Sequence, residues 1–256
     1  MSTAAINPKG ARKYAVGAGP LAWNQAYLGS SVGQKILVAL TGAGLVTFLV
    51  FHMIGNLKMF SGRESINAYA SFLKHDLGAI IWIARTGLLG MFALHLFLAI
   101  RLQLRAKAAR PIGYAVQKAA QANPASTSML WTGIVILAFT LFHLAHYTFC
   151  VIHPVVLPDG TVGNYFDLRD GKGQHDVYAM VIAGFSTWWI SAIYLVCQVL
   201  LFVHLSHGIP SCLRTLGLTG RRFEPAAKAL GYAVAGMILI GNFAIVLGVW
   251  SEYLKP

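Results

Sequence analysis

The chain has 256 residues, of which 57% are hydrophobic and only 11% charged, and its mean hydropathy is +0.63. A soluble globular domain carries about 25% charged residues, so this composition belongs to the membrane class. The net charge of +12 raises nucleic acid as a partner, but the charges are distributed as on one membrane face, and no nucleic acid is expected. Cys150, Cys197 and Cys212 form no C-x-x-C pair. Neither a disulfide framework nor a zinc site is expected.

Residues 1–32 read as a cytoplasmic N-terminal segment without the apolar stretch of a signal peptide. Residues 33–256 read as one five-helix transmembrane domain. A crossing helix needs about 20 apolar residues, and five runs qualify: Gly33–Asn56, Gly78–Leu102, Met129–Ile152, Ala179–His204 and Leu230–Ser251. The runs are continuous rather than alternating, and backbone in lipid must satisfy its own hydrogen bonds, so helices are expected rather than strands. Gly42, Gly44, Gly87, Gly90, Gly231, Gly236 and Gly241 fit close helix approach or space for a flat cofactor.

Orientation follows from the basic residues. Lys9, Arg12, Lys13 and Lys35 precede or open span one. Arg101, Arg105, Lys107, Arg110 and Lys118 follow span two, and Arg214, Arg221, Arg222 and Lys228 lie between spans four and five. These share one side, with Glu224 as the only acid beside them. Glu64, Asp76, Asp159, Asp167, Asp170, Asp176 and Glu252 lie towards the other. The positive-inside rule then places the N-terminus in the cytoplasm and the C-terminus outside, with Trp82, Trp188, Trp189 and Trp250 near the outer interface. The basic side is a surface for anionic lipid or a soluble partner. No Asp or Glu lies inside any span, so a transmembrane proton relay of buried carboxylates is hard to draw.

Histidines are the informative residues. Intramembrane imidazoles mark functional sites by default, and here they fall at two depths. Span two runs inward, and His95 stands about 9 Å above Arg101; span four also runs inward, and His207 stands about 10 Å above Arg214, at about 1.5 Å per residue. His52 in span one, and His143 and His146 in span three, reach the outer half. Each level receives imidazoles from two helices, the minimum for two haem irons each held by two histidines. There is no C-x-x-C-H, so the haems would be bound non-covalently. Depth does not choose within the doublets His143/His146 and His204/His207, whose members are three apart and share a helix face. His75, His153 and His175 fall in outer loops and are expected to be solvated. Arg85, the one charged intramembrane residue, either snorkels outward or pairs with a haem propionate.

The chain resembles the single-subunit dihaem cytochrome b anchor of succinate:quinone oxidoreductases, the group of succinate dehydrogenases and quinol:fumarate reductases. The likeness runs from Ser31 to Trp250. It rests on S-S-V-G-Q-K-I-L-V-A-L-T-G with F-H-M-I-G-N-L in span one, L-H-L-F-L-A-I-R in span two and T-G with F-H-L in span three. Its most specific block is H-D-V-Y-A-M-V-I-A-G-F followed by H-L-S-H-G-I-P-S-C-L-R-T-L-G. The resemblance implies that His52 and His143 hold an outer haem b and His95 and His207 an inner one. It also implies a flavoprotein and an iron–sulfur subunit on the cytoplasmic side, electron exchange with a quinone (menaquinone or ubiquinone), and residence in a bacterial cytoplasmic membrane. This chain would bind no dicarboxylate itself. Quinone candidates are His75 and Asp76 on the outer side and Ser31 and Lys35 on the inner. The alternatives are a cytochrome b subunit of a hydrogenase or formate dehydrogenase, which would lack the H-L-S-H-G-I-P-S block, and a metal-ion transporter, which would be expected to carry intramembrane acids.

Overall fold

Ser30 opens the first helix. Its backbone is extended and its hydroxyl accepts the Gly33 N–H at 3.0 Å, satisfying one donor that a helix start leaves free. From this cap runs α1 (Ser31–Asn56), followed by a 3-10 turn (Leu57–Ser61), a short α2 (Arg63–Ser71), a π turn (Phe72–Asp76) and α3 (Gly78–Ala108). Then come α4 (Met129–His143), a second π turn (Leu144–Thr148) and a two-stranded antiparallel hairpin of β1 (Val155–Val156) and β2 (Val162–Gly163). The chain continues through α5 (Val177–Ser186), α6 (Trp188–Thr215) and α7 (Glu224–Trp250). This computed structural model describes residues 27–109, 128–157 and 160–255. Lys9, Arg12, Lys13, Arg110, Lys118 and Asp159, on which part of the charge argument rests, lie outside the described residues.

Among the described residues five helices are long and apolar enough to cross a membrane: α1, α3, α4 with its π turn, α6 and α7. The chain is a multi-pass helical membrane protein. The fourth span differs from the expected Ala179–His204. At Thr187 the backbone is extended (φ −87°, ψ 110°) and separates α5 from α6, so the crossing helix is Trp188–Thr215. Both pieces are apolar, and hydropathy runs across the break without registering it. The shift places His204 and His207 inside a helix rather than at its end. The fifth helix starts six residues earlier than expected, with Pro225 in its first turn, where a missing N–H costs nothing.

Helix α6 is the hub: it packs on α7, α1 and α4, and α1 packs in turn on α3. One apolar cluster joins Leu201 and Leu205 of α6 to Ala235 and Ile238 of α7, with Val46, Leu49 and Val50 of α1 against it. A second, nearer the other end, joins Met59, Tyr178, Phe185, Tyr194 and Val249. In α3 only Leu98 is buried. At Gly231 a Cβ would lie 2.8 Å from Pro210 Cδ and 3.2 Å from the Ser206 carbonyl oxygen. Pro210 cannot give that carbonyl its helical N–H partner, and Gly231 lets α7 close over the spot. Gly42, Gly44 and Gly241 also meet neighbouring helices, whereas Gly87, Gly90 and Gly236 have nothing within 4 Å of a Cβ position.

The helix ends are tied separately at the two faces. On the basic face Arg105 Nη1 donates to the Gly29 carbonyl and to Gln34 Oε1, both at 3.1 Å, and Arg214 meets Glu224 at 3.7 Å. On the opposite face Asn67 of α2 donates to Asp176 Oδ1 at 3.0 Å and to Asp170 Oδ2 at 3.2 Å, and accepts the Tyr178 N–H at 3.0 Å. Arg63 lies 3.4 Å from Asp176. Trp82, Trp188, Trp189 and Trp250 all stand at helix ends on this second face.

Candidate functional site

At the upper level α1 and α4 bring His52 and His143 together. Their ring centres are 5.8 Å apart and their planes perpendicular at 90°. Two imidazole nitrogens each about 2.0–2.1 Å from one shared metal, on opposite sides of it, place the ring centres about 6.4 Å apart, a little more than the separation here. His52 stacks on Phe48 one turn earlier (5.2 Å, 23°). His143 Nδ1 lies 3.1 Å from Tyr194 Oη of α6, the kind of outer contact that orients a ligating imidazole and leaves Nε2 available.

His146 is placed differently. It is fully buried, with Nδ1 3.0 Å from Tyr194 Oη and Nε2 3.3 Å from Tyr165 Oη. Both of its ring nitrogens are engaged, so within this doublet only His143 keeps a nitrogen for coordination. The π turn that begins at Leu144 carries His146, and both rings meet the Tyr194 hydroxyl.

At the lower level His95 of α3 has Nδ1 3.1 Å from the Val38 carbonyl and 3.2 Å from Thr41 Oγ1. A carbonyl only accepts, so Nδ1 carries the proton and Nε2 keeps its lone pair. A Cβ at Gly42 would stand 3.1 Å from His95 Cε1, so the missing side chain lets the ring lie against α1. His204 of α6 has Nδ1 3.0 Å from Thr132 Oγ1 and lies within electrostatic reach of both His95 and His207. The His207 ring makes no hydrogen bond among the described residues and stands in the field of Arg214. Among those residues nothing engages Nε2 of either member of this doublet. The His204 ring lies against α4 at Thr132 and Gly133, while the resemblance points to His207.

The donor set fits a haem. Among the described residues no three His, Cys, Asp or Glu side chains gather as a protein-only metal site requires. At the upper level two imidazoles from two helices face each other, and two axial nitrogens would suffice where a macrocycle supplies the other four.

The remaining candidates lie apart from these levels. Arg85 is exposed, with its guanidinium 5.0 Å over the Trp82 ring, and pairs with no carboxylate among the described residues. Ser31 and Lys35 are exposed in the first turn of α1, where Ser30 rather than Ser31 forms the cap. His75 and Asp76 are exposed in the first π turn. His75 lines a cavity of about 630 Å³ with Asn67, Lys74, Arg169, Gln174 and His175. Two loop histidines are not solvated as expected. His153 is held between Tyr165 Oη (3.2 Å) and Thr187 Oγ1 (3.0 Å), and His175 is half-buried. The hydroxyls of Tyr194, Tyr165, Thr41 and Thr132 escaped sequence reasoning. For Tyr194, Thr41 and Thr132 the signal was a hydroxyl within an apolar run at the depth of a histidine; Tyr165, in the polar stretch G-N-Y-F-D, carried none.

No family model matches the chain, and neither the curated proteins nor the solved structures contain a match.

Proposed function

We propose that the chain is the dihaem cytochrome b membrane anchor of a succinate:quinone oxidoreductase, carrying electrons between an iron–sulfur subunit and membrane quinone. The observation that carries the reading is the perpendicular His52–His143 pair at 5.8 Å, with the far nitrogen of His143 held by Tyr194. His52 and His143 hold the outer haem, and His95 and His207 the inner one. Each haem supplies reversible one-electron chemistry at a potential set by its ligands, their hydrogen bonds and burial. The chain positions two such centres in a dry interior. His95 is fixed by Val38 and Thr41, and the aromatic rings of Phe139, Phe142 and Tyr194 surround His143 and His146.

In this reading the membrane is the bacterial cytoplasmic membrane, with the N-terminus and basic face in the cytoplasm. The basic face then offers electrostatic complementarity to the iron–sulfur and flavoprotein partners and to anionic lipid. Quinone exchanges electrons at the membrane boundary, with His75 and Asp76 as the outer candidates and Ser31 and Lys35 as the inner.

A reduced-minus-oxidised spectrum with haem quantitation tests the core of this reading, and two haems b per chain are expected. Co-purification of a flavoprotein and an iron–sulfur protein with succinate:quinone activity separates it from other respiratory cytochromes b. Alanine at His52, His95, His143 or His207 should each remove one haem, whereas His146→Ala and His204→Ala should retain both. Loss of a haem in His204→Ala, with both kept in His207→Ala, would move the inner ligand one turn along α6. A colourless preparation from iron-replete cells sinks the proposal.

A further inference from the structure

We propose that Tyr194 is the positioning residue for the outer haem ligand and the first link of a one-directional hydrogen-bonded string from His143 to the outer loop. This rests on the reading of His143 as an iron ligand. Five contacts compose the string. His143 Nδ1 lies 3.1 Å from Tyr194 Oη, which lies 3.0 Å from His146 Nδ1. His146 Nε2 lies 3.3 Å from Tyr165 Oη, which lies 3.2 Å from His153 Nδ1. His153 Nε2 lies 3.0 Å from Thr187 Oγ1.

Counting protons fixes the direction of every link. A neutral imidazole has one N–H and one lone-pair nitrogen, and a phenol has one O–H. When His143 gives its Nε2 lone pair to iron, its proton sits on Nδ1 and is donated to Tyr194 Oη. The Tyr194 O–H then donates to His146 Nδ1. His146 must therefore carry its proton on Nε2 and donate it to Tyr165. The Tyr165 O–H donates to His153 Nδ1, and His153 Nε2–H donates to Thr187. Every donor is spent once, no imidazole needs a charge, and His146 and Tyr165 are both fully buried. Running the string the other way puts the His143 proton on Nε2 and abolishes the ligand. The choice of ligand and the tautomers of two further histidines are thus one arrangement, shared by α4, α6 and the 149–187 segment.

A hydrogen bond from the outer nitrogen makes an imidazole a more basic ligand, which favours the more positive iron. The string therefore lowers the potential of the outer haem. It also explains a buried histidine, His146, that coordinates nothing in the proposed function.

The experiment uses the purified complex with its haems. Each haem's midpoint potential is followed optically, and its low-spin signal by electron paramagnetic resonance, in Tyr194→Phe and Tyr165→Phe. Tyr194→Phe should raise the outer potential, leave the inner one in place, and weaken retention of the outer haem by about 10–100-fold. Tyr165→Phe, which cuts the string one histidine further out, should raise the outer potential by less. If Tyr194→Phe does not assemble, Tyr165→Phe decides alone: a rise confined to the outer haem supports the string, and no rise overturns it. Unmoved outer potentials in both variants, or equal shifts of both haems, overturn it as well. A wild-type complex without two haems, or an outer haem that survives in His143→Ala, defeats the underlying assignment instead.

Discussion

Asn67→Ala is expected to unpick the membrane face opposite the basic ends. Asn67 is 1% exposed and uses both ends of its amide, donating to Asp176 and Asp170 and accepting from the Tyr178 backbone. Asp176 is itself 4% exposed and caps α5 through the Ala179 N–H at 3.1 Å. Alanine removes a hydrogen bond to a buried carboxylate, about 1.5–3 kcal/mol, and strands a buried N–H, about 1–3 kcal/mol. The Asp170 bond adds little, because that carboxylate is only partly buried and keeps its bonds to the Lys172 and Gln174 backbone. The loss is then about 3–5 kcal/mol. At about 2–4 °C per kcal/mol for a chain of this size, thermal unfolding in detergent should drop by roughly 6–20 °C. Hydrogen exchange should rise first at 176–180 and at α2. A drop under about 2 °C, with exchange unchanged there, would refute the reasoning from buried polar satisfaction.

Three further outcomes are expected. The break at Thr187 frees the Phe185 carbonyl, which accepts from Ser191 Oγ at 2.7 Å and from Trp250 Nε1 at 3.0 Å. Ser191→Ala and Trp250→Phe should each cost about 1 kcal/mol, and the double variant more than their sum, because only then is the carbonyl left unsatisfied; additive melting shifts would contradict this. Gly231→Val should lower thermal stability by about 1–3 kcal/mol, since its side chain meets the Pro210 ring, while Gly236→Val, with open space around it, should be near neutral. Burial, with Lys74 and Arg169 alongside, lowers the His175 pKa against the opposing Leu168 backbone and Asp176. A lowered histidine pKa means that the unfolded loop takes up the proton more readily. Its stabilising contribution is complete above the ordinary value of about 6.5 and is lost as pH falls towards the folded value. Melting of His175→Gln should therefore fall less than that of the unaltered chain between pH 7.5 and 5; equal falls would exclude the linkage.

The apolar runs declared the five crossing helices because length and hydropathy alone decide what can sit in hydrocarbon. The one misplaced span shows the limit. Val177–Ser186 is as apolar as Trp188–Thr215, and the break depends on an extended Thr187 whose neighbours' carbonyls are rescued by Ser191 and Trp250, residues distant in sequence or in role. The charged anchors at the helix ends set only an expected depth for each histidine. Depth could not say which way a ring faces. That depended on a π turn after His143, on Tyr194 in the middle of an apolar run, and on Thr41 and Thr132 at the lower level, all of them contacts between helices. The loop histidines were misjudged for the same reason: His153 lies beyond the end of the third span, but Tyr165 and Thr187 fold back onto its ring.

The wide turn at Leu144–Thr148 carries a meaning for the H-x-x-H pattern itself. An ordinary helical turn sets such residues side by side, each step rotating by about 100°, and the wider π form is rare and frequent at functional sites. Here the wider turn brings both Nδ1 atoms, of His143 and of His146, onto the single hydroxyl of Tyr194. Two histidines that read as equivalent in the letters thus differ in what their second nitrogens meet, Tyr165 for His146 and no protein group among the described residues for His143.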